Sequence, residues 1–173
     1  MLEALIFVVF PFCMAFAAIS DMLSMTISNR VAVVLVATFA VVAPLTGMEW
    51  TTYAWHFAAF LVVLLVGFSL FALGGMGGGD AKLLAATALY MGLGLQLVEY
   101  LVISAFLGGL LTLAVMGFRG SALAVFTGHN MFLRNFTDTK KGIPYGIALG
   151  AGGLLTYSSS PLMIWAMDRL AGQ

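Results

Sequence analysis

The charged residues of this chain are so few and so widely spaced that they leave long stretches of nothing but apolar and small polar side chains. No Asp, Glu, Lys or Arg falls between Glu3 and Asp21, between Arg30 and Glu49, between Glu49 and Asp80, or between Glu99 and Arg119. These runs are continuous rather than alternating, so they read as helices and not as barrel strands. In lipid a helix satisfies its own backbone polar groups, which an open strand cannot do. At 62% hydrophobic and 8% charged residues, with a mean hydropathy of +1.10, the 173 residues are far too apolar for a soluble domain. The expected fold is an all-α membrane protein of six transmembrane helices in a single membrane-embedded domain, 1–173.

The six expected helices run from Leu2 to Ser20, bent at Pro11; from Asn29 to Ala43, stopping before Pro44; and from Thr51 to Leu73, with Trp50 and Trp55 suited to an interface. The fourth begins at Asp80 and fades near Gly94. The fifth covers Gln96 to Phe118, and the sixth starts at Pro144 and reaches Met167, loosened around Ser158 to Pro161. The connection from Arg119 to Gly142 is too short for a domain of its own. Its apolar residues Leu123, Val125, Phe126, Met131, Phe132 and Leu133 suggest a segment lying along the interface. The first charge, Glu3, is acidic, which argues against a cleaved signal peptide.

Short cytoplasmic loops are enriched in Lys and Arg. Arg30, Lys82, Arg119, Arg134, Lys140 and Lys141 all fall in odd-numbered connections, and only Arg169 falls on the other side. The odd connections are therefore expected to be cytoplasmic and both termini periplasmic. Asp21 and Asp80 then share one edge of the membrane.

Asp80 closes the run Gly74-Gly75-Met76-Gly77-Gly78-Gly79 and opens the fourth helix. That helix would reach only about 20–24 Å at 1.5 Å per residue, short of a hydrocarbon core of roughly 30 Å. Irregular backbone at membrane depth is tolerated where protein or a water-filled cavity surrounds it, so the glycines are a candidate cavity wall with Asp80 at its floor. Asp80 also has the plain reading of a helix cap, and Asp21 that of an interfacial residue in a polar turn. Two acids on one edge, one of them in a glycine-lined recess, favour chemistry over both being idle. Two carboxylates that share one proton can activate water with one member and protonate a leaving group with the other, which is aspartic peptidase chemistry. Asp80, at the positive end of its helix, is the expected base. Asp21, following a negative helix end, is the expected acid.

These residues resemble a known family. Gly77-Gly78-Gly79-Asp80 matches the GxGD signature of membrane-embedded aspartyl peptidases, and Lys82 extends it to the GxGDxK form of the prepilin peptidases, the type IV leader peptidase family. Asp21 with Ile27 and Asn29 resembles that family's first aspartate motif, and Ile143-Pro144-Tyr145-Gly146 its later element. Ser28 stands where the first motif commonly has proline, which leaves the turn before the second helix looser. The resemblance implies catalytic roles for Asp21 and Asp80 and supporting roles for Gly77, Gly78, Gly79, Lys82, Pro144, Tyr145 and Gly146. It implies prepilin-like precursors as substrates, with a short basic leader cut at the cytoplasmic boundary of the bacterial inner membrane. Without a cysteine-rich methyl-transfer segment, the chain resembles the short form found with Flp-type pili.

Other readings are a small proton-coupled transporter, which predicts acids near the bilayer midplane, and a noncatalytic assembly subunit with Asp80 as a cap. The zero net charge gives no sign of a nucleic-acid surface. The single Cys13 rules out an internal disulfide and a multi-cysteine zinc site. His56 and His129 have no partner at ligand spacing and read as structural, Asp138 as a solvated charge and the eleven Met as packing. Neither a metal nor another cofactor is expected.

Overall fold

A helix of only 14 residues lies at the centre of the bundle. The computed structural model of the chain describes residues 1–119, 121 and 142–172. Its helices are α1 (Leu2–Ser24), α2 (Asn29–Leu45), α3 (Trp50–Ala72), α4 (Gly78–Met91), α5 (Leu95–Arg119), α6 (Gly146–Thr156) and α7 (Pro161–Ala171), with a 3-10 turn at Tyr157–Ser159. Every residue of α4 from Leu83 to Met91 is buried, as is Ala81. Its alanines let neighbours come close: α3 lies along it, and a Cβ added at Gly67 would stand 3.1 Å from the Ala81 Cβ. Its far end is held by His56, whose Nδ1 lies 2.7 Å from the Leu89 carbonyl oxygen. This is the structural role expected for that histidine.

Among the described residues, three helices are long and apolar enough to cross a membrane: α1, α3 and α5. The pair from Gly146 to Ala171, bent by 47°, makes a fourth. The break falls where the Ser158–Pro161 segment loosens the sequence pattern. Ser160 leaves helical geometry and Pro161 begins α7, and the Ser160 hydroxyl accepts from the Met163 N–H at 3.4 Å. The two remaining elements, α2 with 17 residues and α4 with 14, are shorter than a free-standing span. Helices stand at all six expected places, the last in two pieces, but among the described residues only three, or four with the bent pair, have the length and apolarity of a span. Start and finish meet at one end, where Arg169 Nε lies 3.3 Å from Glu3 Oε1.

Several boundaries differ from expectation for identifiable reasons. α1 runs on past Ser20 to Ser24, because Met25 takes a left-handed conformation (φ 55°) and its N–H closes the last turn on the Asp21 carbonyl at 2.8 Å. Asp21 is therefore inside the helix and does not follow it. α2 continues through Pro44 to Leu45. A proline there forfeits the hydrogen bond to the carbonyl four residues back, and the Tyr53 hydroxyl donates to that oxygen, on Ala40, at 3.2 Å. α4 starts at Gly78, two residues before Asp80, and α6 starts at Gly146 rather than Pro144. The expected interfacial segment, with Leu123 to Leu133, His129, Arg134, Asp138, Lys140 and Lys141, lies outside the described residues.

The α1–α6 contact sets the register of the site. A Cβ at Gly150 would meet the Met14 carbonyl oxygen at 2.8 Å, and one at Gly153 the Met14 sulfur at 3.0 Å. Gly146, Gly150 and Gly153 recur on one helical face, as do Met14, Ala17 and Asp21, so close packing along this line carries Gly146 to Asp21.

Candidate active site

Asp21 is drawn into the protein from the last turn of α1 and is only 6% exposed. Its Oδ2 accepts a hydrogen bond of 2.7 Å from the Gly146 N–H. That donor is one of the first amides of α6, which the helix itself leaves unpaired, so the carboxylate caps α6 while α6 orients the carboxylate. Only glycine fits opposite: a Cβ at position 146 would lie 2.8 Å from the Asp21 Cβ and 2.9 Å from both Asp21 Oδ2 and Ile27 Cδ1.

Asp80 is the third residue of α4, after the N-cap Gly77, and is partly buried. Its carboxylate turns back against the Gly77 amide, the place where an acid at this position relieves the unpaired donors of a helix start. A Cβ on Gly77 would come within 2.6 Å of Asp80 Oδ2. Gly79 faces the α1–α2 turn, where an added Cβ would lie 3.1 Å from the Ile27 Cβ. Bare backbone at 77 and 79 thus lets the start of α4 approach both its own acid and the turn opposite.

Asp21 and Asp80 line the same recess, of about 270 Å³, with Met25, Thr26 and Ile27 on one wall and Gly77, Gly78 and Gly79 on the other. The first wall is stiffened by hydroxyls: Ser20 Oγ donates to the Thr26 carbonyl at 2.9 Å and Ser24 Oγ to the Ser20 carbonyl at 2.7 Å. Ser28 holds the turn rather than loosening it. Its φ of −64° is the value proline would impose, and its hydroxyl accepts from the Arg30 N–H at 3.3 Å, capping α2.

The other residues expected at the site surround the recess without lining it. Lys82 is exposed and its Nζ donates to Asn29 Oδ1 at 2.8 Å, tying α4 to α2. Pro144 is buried, and its carbonyl accepts from the Ile147 N–H at 3.2 Å. Tyr145 packs over Gly108 of α5, with its hydroxyl 3.1 Å from Thr112 Oγ1. Met25 and Thr26 carry no chemical signature that would have pointed to them. Asn29 carries a signal beyond its motif, since an amide next to an apolar run is itself a sign of a buried or bridging partner.

A family model, the type IV leader peptidase family, matches residues 8–118, which is more than half of the chain and includes both aspartates. The chain belongs to this family. Its members are aspartic peptidases that cleave prepilin leader peptides, and the peptidase is a multi-pass membrane protein with helices long enough to span. The match stops short of the Pro144–Gly146 element, so the 2.7 Å contact between Gly146 and Asp21 ties a segment beyond it to the matched part. No curated protein and no solved structure matches the chain.

Proposed function

We propose that Asp21 and Asp80 are the catalytic pair of this peptidase and that it removes the short basic leader of Flp-type precursors at the cytoplasmic face of the bacterial inner membrane. The observation that carries this reading is the shared recess: two acids remote in sequence line one cavity walled by bare glycine backbone. An extended peptide could lie against such a wall, since no side chain of residues 77–79 obstructs it. Water is the nucleophile. Asp80, in the first turn of α4, takes its proton, and Asp21, in the last turn of α1, hands one to the departing amine. The pair titrates as a unit carrying one proton. Gly146 is a positioning residue for Asp21, Gly77 and Gly79 shape the wall, and Pro144 and Tyr145 brace the start of α6.

In this reading six spans cross the bilayer, with α2 and α4 partly shielded by their neighbours, and both termini are periplasmic. The basic residues favour that orientation: Arg30, Lys82 and Arg119 stand at the end of the bundle that holds the recess, where Arg119 Nη2 donates to the Gly142 carbonyl at 2.9 Å. The test is co-expression with a Flp-type precursor and a gel assay of leader removal. Asp21→Asn and Asp80→Asn each lose roughly 10²–10⁴-fold in rate, the usual worth of a positioned acid or base. Retained cleavage in either variant defeats the pair.

A further inference from the structure

An apolar groove of about 460 Å³ lies between α2 and α3, and its lining includes Lys82, two residues along α4 from Asp80 of the recess. Ala32, Val33, Val36 and Ala37 follow Asn29 at spacings of three, four, seven and eight, so they extend one face of α2 away from the site. Phe60 and Leu64, one turn apart on α3, form the other side, and Lys82 of α4 stands at the end nearest Asp80. α2 and α3 meet at the end away from the recess, where Phe39 and Ala40 contact Tyr53, but each packs mainly on α4, which leaves a wedge between them on the Lys82 side. The α2 face from Asn29 to Ala37 rises about 12 Å. Its two alanines allow another helix to approach closely.

We propose that this groove seats the first turns of the precursor's apolar helix and delivers the cut site to the recess past Lys82 and Asn29. The inference rests on the peptidase reading above and names where its substrate lies. The charge at the groove's end fits such an occupant only when that occupant is unwound. An intact helix entering from this side presents its positive end to the Lys82 ammonium and is repelled. A segment unwound at the same depth presents carbonyl oxygens free of helical bonds, which accept from it. Among the described residues Lys82 spends one of its three donors, on Asn29 Oδ1, and keeps two. Lys82 therefore favours extended backbone where a peptide bond must be bared, and it pushes a basic leader outward, away from the groove. A second apolar groove, of about 400 Å³ between α1 and α2 and including Phe16, carries no residue of α4 and serves as the comparison.

The test places a photo-crosslinking benzoylphenylalanine at Val36, or at Phe16, in the Asp80→Asn variant, with intact precursor in membranes. Adducts from Val36 to the precursor's apolar segment, with none above background from Phe16, are the expected result. Adducts from Phe16 instead, or Val36 adducts only to lipid or to a second copy of the chain, overturn the proposal. In parallel, Lys82→Met slows cleavage of the natural precursor roughly tenfold, the worth of a charged hydrogen bond, and Lys82→Arg restores it. A precursor carrying a Gly-Gly pair just after the cut loses much less, because its backbone is already unwound. Equal loss on both precursors overturns the proposal. Failure of the wild type to cut any precursor would instead sink the peptidase reading, whatever the pattern of adducts.

Discussion

Replacing Gly146 by alanine puts a methyl group where Asp21 and Ile27 already stand, at 2.8 Å from one Cβ and 2.9 Å from a carboxylate oxygen and a side-chain methyl. None of these is the free end of a long flexible chain, so the carboxylate must turn or the start of α6 must retreat. Either movement breaks the 2.7 Å bond from the Gly146 N–H. A hydrogen bond to a charged group is worth about 1.5–3 kcal/mol, and about 1.4 kcal/mol is tenfold in rate, so kcat falls about 10- to 100-fold. KM moves little, because the recess wall at 77–79 is untouched. Overpacking alone costs about 1–3 kcal/mol of stability, so a comparison is needed. Gly153→Ala supplies it: its methyl meets the flexible Met14 side chain, the sulfur at 3.0 Å, and lies at an ordinary 3.5 Å from Thr87 Cγ2, in the same α1–α6 contact but away from Asp21. Leader cleavage would be followed under single-turnover conditions in detergent, alongside thermal unfolding of both variants. Wild-type kcat in Gly146→Ala, or an equal loss in Gly153→Ala, refutes the positioning role.

A pair that works with one proton loses rate above the range where both carboxylates ionise and below the range where both are protonated. A plot of kcat/KM against pH is therefore bell-shaped, and a profile rising or falling throughout contradicts a two-acid mechanism. Ser28→Ala removes the α2 cap and costs about 0.5–2 kcal/mol in thermal unfolding, whereas Ser28→Pro removes the same hydroxyl but keeps the φ already present, so reduced freedom of the unfolded chain offsets about 0.4–1 kcal/mol and it loses less than Ser28→Ala. His56→Phe leaves the Leu89 carbonyl without its partner and lowers stability by about 1–3 kcal/mol. Leader cleavage at temperatures well below unfolding is retained, since the ring lies at the opposite end of α4 from Asp80.

Much of this arrangement can be read from the residues. The apolar runs define the helices, and the Gly77–Asp80 stretch marks a helix start with an acid and bare backbone. The Ser158–Pro161 segment marks the break before α7. What escapes is whatever depends on a partner distant in sequence. Nothing near Ala40 announces that the Tyr53 hydroxyl replaces the donor lost at Pro44, so α2 looks shorter than it is. A left-handed Met25 has no signature, since that conformation is ordinarily a glycine's, so α1 seems to end before Asp21. The motif singles out Gly146 without saying what it does, which shows only when Asp21 is placed beside it, and Asn29 gains a role only when Lys82 arrives from α4.

The bond between Asp21 and Gly146 joins positions 125 residues apart, so Asp21 gains its donor only after α6 has been made. While the ribosome is still feeding α6 to the membrane, α1 and α4 are already in place, yet Asp21 lacks the donor that fixes its orientation. With Asp21 in its proposed role, biogenesis builds in a delay: hydrolytic competence waits for α6 to dock, and a chain inserted only through α5 holds that acid without the geometry to use it.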